Sequence, residues 1–210
     1  MKLPQGEVLE KIVYVESRIR GCRAEVRSLR ARLGSKKAPM VNRMEARLVK
    51  ADIERLNERV GQYRDLRWTF KSLIDGLAFT YIDKWDIKPM AFKESPGFIS
   101  GKGGLRNELK FLRHVFSTGN VGILNDLTNC LRVGDVCVAF EKRPYLFEIK
   151  SGPDHSARVK RQRKQIDDTS KYLYLDRADK MYGADGEVRR TSIHCEEENH
   201  VSKVSLSCTT

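Results

Sequence analysis

The 210-residue sequence predicts a protein of the mixed α+β or α/β class, in which a long antiparallel helical hairpin precedes a smaller domain of strands and helices. Three observations predict it. Apolar residues recur in alternating steps of four and three through residues 8–33, and at related spacings through 49–77. Between residues 135 and 150 the period changes to two, in two runs joined by a polar turn. Helical stripes then flank those runs, over 105–116 and 156–173. The organisation expected is a hairpin over 1–80, a Gly- and Pro-rich linker over 81–104, and a second domain over 105–210.

Val8, Ile12, Val15, Ile19, Cys22, Val26, Leu29 and Leu33 form an unbroken heptad seam of the coiled-coil kind. Gly34 is placed to end that helix and Pro39 to begin the next. The second seam runs through Val49, Ile53, Leu56, Val60, Tyr63, Phe70, Ile74 and Leu77, with Arg67 its only charged intruder. Met44, Leu48 and Ala51 make an offset start, so the seam shifts near residue 48. The short connection makes the helices antiparallel neighbours, about 40 Å and about 60 Å long. Such a hairpin docks on the rest of the chain, pairs with a second copy, or holds a protein partner. A basic arm gripping phosphates is the competing reading, though helix-face charges are usually just solvated.

Forty Lys and Arg against 28 Asp and Glu give a formal charge of +12 and a pI near 9.6. That balance points to a polyanionic partner, nucleic acid before an acidic membrane surface. The excess is steepest in residues 1–80, with 18 basic against 10 acidic side chains. No apolar run approaches a membrane span, and the first residues do not open as a secretion signal. Five cysteines (22, 130, 137, 195 and 208), odd in number and without a CxxC, read as reduced thiols of a cytoplasmic protein. His194, Cys195, His200 and Cys208 match no standard zinc spacing. The Gly101-Lys102-Gly103-Gly104 run lacks the Lys-Ser/Thr pair of a phosphate loop, since Leu105-Arg106 follows, and reads as linker.

In the second domain, Leu105, Leu109, Leu112 and Phe116 share one helical stripe with Glu108 beside it. A carboxylate against a core face needs a cation, either a lysine or a metal. Val136, Val138 and Phe140 alternate with Asp135, Cys137 and Ala139; Tyr145, Phe147 and Ile149 alternate with Leu146, Glu148 and Lys150. Glu141-Lys142-Arg143-Pro144 suits a hairpin turn. With Phe140 opposite Tyr145, Asp135 lies opposite Lys150 and Cys137 opposite Glu148, all on one face. Opposed Cβ atoms are then roughly 5 Å apart, and Asp135 and Glu148 about 7 Å apart on the diagonal. The other face, Val136 to Ile149, is expected to be buried. In the following helix Gln162 and Thr169 share the inward stripe of Val159, Ile166 and Leu173. Arg158, Lys160, Arg161, Arg163 and Lys164 crowd its first half, as a nucleic-acid contact would require. Short strands are expected within 188–194 and 200–206.

Taken in order, residues 105–206 resemble the PD-(D/E)xK nuclease superfamily, the restriction-endonuclease-like fold with an αβββαβ core. The resemblance makes Glu108 the helical acid, Asp135 the strand aspartate, Glu148 and Lys150 the (D/E)xK pair, and Gln162 or Gln165 the helical glutamine. Gly134 stands where the family motif has proline. It implies Mg²⁺, with Mn²⁺ as substitute, held by Asp135, Glu148 and the backbone carbonyl of Ile149, with Glu108 serving a second ion or its water shell. Lys150 would position or deprotonate the attacking water, and the glutamine would bind that water or a phosphate. The implied activity is hydrolysis of DNA rather than RNA, endonuclease favoured, with a role in defence against foreign DNA resting on analogy alone. The alternative is a catalytically silent nucleic-acid-binding or coiled-coil scaffold protein that keeps the fold. Retention of Glu108, Asp135, Glu148 and Lys150 together argues for the enzyme.

Overall fold

The computed structural model describes residues 4–34, 43–92, 97–150, 157–181 and 184–191. Two helices dominate it, α1 (Pro4–Gly34) and α2 (Arg43–Tyr81). All eight seam residues of α1 are buried or half-buried, with Ile12, Val15 and Ile19 at 1% exposure or less. Val49, Leu56, Val60 and Ile74 answer them from α2, while Met44 and Leu48 are exposed, so the seam opens at Val49. Arg18 Nε donates to Tyr63 Oη at 3.3 Å and Arg67 Nε meets Glu16 Oε1 at 2.8 Å. Those pairings step in opposite directions along the two chains, so the helices are antiparallel. The charged intruder Arg67 is in the seam because Glu16 is buried there too. α1 is helical up to Gly34, and the residues that follow, Pro39 among them, lie outside the described residues, as do the expected stop at Gly34 and restart at Pro39. Among the described residues no helix is long and apolar enough to cross a membrane.

The stretch expected to be a linker is folded into the core. Helix α3 (Lys84–Ile87) is capped by Asp83, whose carboxylate accepts from Trp85 N at 2.8 Å, and a 3-10 turn over Lys88–Phe92 follows. Ile82, Ile87, Met90 and Ile99 are all within 2% of complete burial. Their irregular spacing carries no period, so no sequence pattern marks them as core.

Helix α4 (Leu105–Ser117) leads into an antiparallel sheet of β1 (Val121–Leu124), β2 (Val136–Phe140) and β3 (Arg143–Phe147), in that spatial order. α4 lies against β1 at Gly122, where an added Cβ would come within 2.7 Å of Leu112 Cδ1. The free edge of β1 is closed by α1: Gln5 Nε2 donates to Gly122 O at 2.7 Å, and Gln5 Oε1 accepts from Leu124 N at 3.0 Å. A side-chain amide thus takes the place of a neighbouring strand.

The β2–β3 register differs from the expectation by two residues. Phe140 pairs with Arg143, Val138 with Tyr145 and Val136 with Phe147. The turn uses only Glu141 and Lys142, both at positive φ (51° and 63°), as a two-residue hairpin turn of the primed kind requires. A shift of two keeps every side chain on its expected face. Burial, however, departs from the forecast: Phe140, Tyr145 and Phe147 are exposed at 49%, 49% and 38%, while Cys137, Ala139 and Pro144 on the charged residues' face are buried. The hairpin tip carries its aromatic face into solvent, with Phe147 reaching back to the Phe111 ring of α4 (centroids 5.1 Å apart).

Helix α5 (Ala157–Leu175) contacts β3 and is followed by β4 (Arg177–Asp179) and β5 (Glu187–Arg189). These two pair with each other as a separate ribbon, so among the described residues no fourth strand joins the three-stranded sheet. The strand expected within 200–206 lies outside the described residues.

α2 grips the sheet's approach with two charged side chains. Asp75 Oδ1 accepts from Asn129 N at 2.7 Å and Cys130 N at 3.1 Å. Lys71, 1% exposed, donates to Thr128 O at 3.2 Å. Burial first, and the charge of Arg67 second, push the Lys71 ammonium from 10.5 down to about 8. Between those values the unfolded chain holds a proton that the folded chain has lost, so stability rises with pH across that window, by about 3 kcal/mol. Below it both states are charged and the burial cost stands in full. Lys71→Met removes this titration. The unfolding free energy of the wild type relative to that variant should therefore climb by about 3 kcal/mol from pH 8 to 10.5. Parallel pH curves for the two proteins would refute it.

Candidate active site

The glycines before α4 and the loops around β2 bring three carboxylates onto one ammonium. Lys102 Nζ lies 3.1 Å from Glu108 Oε1, 2.6 Å from Asp126 Oδ2 and 3.4 Å from Asp135 Oδ1. Glu108 is in the first turn of α4, folded back against Gly104, where a Cβ would stand 3.1 Å from its Oε1. Asp126 comes from a 3-10 turn over Asn125–Leu127 that directly follows β1. That turn is rigid: Asn125 Nδ2 donates to Val133 O at 2.7 Å, and the Thr128 hydroxyl bonds to Asn125 O at 2.8 Å.

Asp135 is held by its backbone and by one side-chain oxygen. Its N–H donates to Phe147 O at 2.8 Å, its carbonyl accepts from Asn125 N at 2.9 Å, and its Oδ2 accepts from Ile149 N at 2.9 Å. The other oxygen is left for Lys102. Gly134 makes this approach possible. Its φ is +79°, and a Cβ there would sit 2.9 Å from Phe147 O. Proline, whose φ is fixed near −65°, cannot adopt that conformation.

Glu148, Lys150 and Gln162 form an adjoining group. Lys150 Nζ meets Glu148 Oε1 at 2.5 Å and Gln162 Oε1 at 3.4 Å. Of the two glutamines left open by the sequence, Gln162 is the one brought to Lys150; Gln165 lies half-buried further along α5. Glu148 and Lys150 therefore face α5, while Asp135 faces Lys102. Ile149, whose carbonyl was expected as a ligand, joins the two groups through its N–H. Lys160, Arg161, Arg163 and Lys164 are exposed on α5, and the side chain of Arg158 lies outside the described residues.

The electrostatics follow from burial and crowding. Burial alone would lower the Lys102 ammonium, but the hydrogen bond and charge of Asp126, with the charges of Glu108 and Asp135, outweigh it and hold Lys102 above the ordinary lysine range. Burial raises the Glu108 carboxyl above its ordinary value; Lys102 opposes this without overcoming it, and Asp135 adds to it. Glu108 Oε2 is buried and has no hydrogen-bond partner among the described residues. Cys137, on the same sheet face, is pushed up to about 12 by burial and is chemically quiet.

The donors suit a hard divalent cation: all are carboxylate oxygens, one of them is buried and unpartnered, and a cationic group already stands among them. In the arrangement shown, the carboxylates are spread around the ammonium. Among the described residues, no three His, Cys, Asp or Glu side chains are grouped to hold one metal ion directly. Glu148, expected to share an ion with Asp135, is instead engaged by Lys150. Lys102, which reads from the sequence as part of a linker once a phosphate loop is set aside, and Asp126, not singled out there, both join the group of Glu108 and Asp135. The available signals were a lysine between glycines just before the acid-bearing helix, and an Asn-Asp pair closing a short apolar strand. The His194, Cys195, His200 and Cys208 set lies outside the described residues. No family model, no curated protein and no solved structure matches the chain.

Proposed function

We propose that the chain is a metal-dependent nuclease of the PD-(D/E)xK kind that hydrolyses phosphodiester bonds of DNA. The observation that carries this reading is the meeting of Glu108, Asp126 and Asp135 around one cationic centre, with Glu148, Lys150 and Gln162 beside it. A structural ion pair needs one carboxylate for one ammonium; three carboxylates on one ammonium leave a surplus of negative charge that a divalent cation would offset better than the ammonium does. Chain order also supports the reading, since α4, β1, β2, β3 and α5 follow one another as the resemblance implies.

Asp135, Glu108 and Asp126 would hold Mg²⁺ or Mn²⁺, and the bound ion would polarise the phosphate and acidify water. The chain's own residues do the rest. Ile149 N–H fixes the Asp135 carboxylate. Glu148 orients the Lys150 ammonium toward the point where Gln162 arrives from α5. Lys150 then offsets charge developing on the phosphate, and the exposed cations of α5 bind the flanking backbone. The helical hairpin docks on this unit through Asp75, Lys71 and Gln5, and its remaining exposed surface is open to a second copy or a protein partner.

The test is cleavage of supercoiled plasmid. Wild-type protein with Mg²⁺ or Mn²⁺ should nick or linearise it, chelation should stop the reaction, and Asp135→Ala should abolish it while the circular dichroism spectrum stays unchanged. Equal cleavage by wild type and variant would expose a contaminant and defeat the proposal. The second reading, a silent nucleic-acid-binding scaffold, draws on Lys102 standing among the acids; binding of DNA with no cleavage under any divalent cation would favour it.

A further inference from the structure

We propose that Glu108, Asp126 and Asp135 form a divalent-cation site closed by Lys102, so that a cation binds only by displacing the Lys102 ammonium. The inference rests on the nuclease reading, which is what calls for a metal at Glu108, Asp126 and Asp135, and it adds Lys102 as a competitor that must leave before the metal binds. An ammonium has three donors, and each of the three carboxylates takes one. Glu108 Oε2, in a side chain 2% exposed, is left unsatisfied. A buried carboxylate oxygen without a donor is costly, and a hard cation with six coordination positions has room for it where the ammonium has none. Charge points the same way. Three carboxylates against one ammonium leave two negative charges uncompensated; against a divalent cation they leave one.

The competitor is built into the fold. The loop bearing Lys102 is clamped to the helical hairpin two residues upstream: Glu16 accepts from Ile99 N at 3.1 Å and from Ser100 N at 2.9 Å, and Arg20 donates to Ser100 O at 3.2 Å. Phe98 lies beneath the guanidinium groups of Arg20, Arg23 and Arg67, between 5.5 and 5.9 Å from its ring centre. Beyond the clamp, Gly101 (φ +91°) and Gly103 flank Lys102. The Lys102 side chain is 34% exposed, so the ammonium has a route to water with the loop still anchored.

Binding of Mn²⁺ in the absence of DNA, followed by the electron paramagnetic resonance of the free ion, tests this directly. Lys102→Met should bind Mn²⁺ at least about tenfold more tightly than wild type, by about 1.4 kcal/mol, and adding Asp126→Asn should cancel the gain. Equal or weaker binding by the folded Lys102→Met protein, or no binding by either protein, overturns the inference. A measurement on the unaltered chain guards against a misfolded variant. Amine-reactive labelling read by mass spectrometry should modify Lys102 several-fold faster at saturating Mn²⁺ than without it, and an unchanged rate at saturation also overturns the inference. Plasmid cleavage reads the nuclease proposal separately. Asp135-dependent cleavage with unchanged Mn²⁺ affinity in Lys102→Met removes this inference alone; tighter Mn²⁺ binding without cleavage removes the nuclease reading alone.

Discussion

Lys150→Ala should lower the rate of plasmid cleavage by about 10²–10⁴-fold while leaving the thermal unfolding midpoint within roughly 2 °C of wild type. The two halves of this expectation come from the same geometry. Lys150 is 34% exposed and its partner Glu148 16%, so the pair sits at the surface, where such a bridge contributes at most about 1 kcal/mol. Removing it costs little folding energy. Under the nuclease reading it also removes the ammonium of the Glu148–Gln162 group, and with it charge stabilisation that would matter only as the phosphate passes through the transition state. The loss should therefore fall on kcat, with KM nearly unchanged. Lys150→Arg should recover little, because a planar guanidinium does not reproduce the point charge of an ammonium between a carboxylate and an amide. A Lys150→Ala protein with wild-type kcat would remove Lys150 from the reaction.

The two lysines of the site are set apart by their surroundings. Lys102 gives one contact to each of three carboxylates and is held above its ordinary range. Its protons are committed. Lys150 has one carboxylate and one amide oxygen, which leaves one donor without a partner among the described residues. The lysine of the ExK tripeptide is thus the better placed to act on a phosphate, and the lysine of the glycine loop the better placed to act on the acids.

Periodicity made most of this legible and geometry hid the rest. The heptads located α1 and α2 because their burial follows one stripe, and Glu108 was recognisable as an acid beside the core stripe of α4. Alternation put Asp135, Glu148 and Lys150 on one face. Within β2 and β3 the faces survive the register error because they depend only on parity, but β3 ends at Phe147, and beyond it Glu148 and Lys150 turn to α5 while Asp135 meets Lys102. The pairing itself went astray at Arg143-Pro144, which resemble turn residues, while the turn is made by Glu141 and Lys142 at positive φ without a glycine to announce it. Lys102 and Asp126 stand 24 residues apart in loops of no period, and their meeting follows from how α1 and α2 hold the intervening chain. Arg67 looked like a defect in the seam. It is one end of the clamp that brings Lys102 to the site.

That clamp yields the largest stability effect expected in the molecule. Glu16→Ala should destabilise the fold by about 3–5 kcal/mol and lower the unfolding midpoint by roughly 10 °C. Glu16 is completely buried, and its two oxygens receive Arg67 Nε at 2.8 Å, Ile99 N at 3.1 Å, Ser100 N at 2.9 Å and the Ser100 hydroxyl at 2.6 Å. Truncation leaves a largely buried guanidinium without its charge partner and two backbone N–H groups without acceptors, and the cost is that of stranding them rather than of losing one attraction. Glu16→Gln keeps one acceptor oxygen and the side-chain volume, so it should cost less than Glu16→Ala. Replacing Arg67 together with Glu16 by apolar residues should recover part of the loss, because neither charge is then left alone. Hydrogen exchange should localise the damage: the amides of Ile99 and Ser100 should lose protection in Glu16→Ala before those of β2 do. An unfolding midpoint equal to wild type would show that the loop is held to α1 by Arg20 and Phe98 instead.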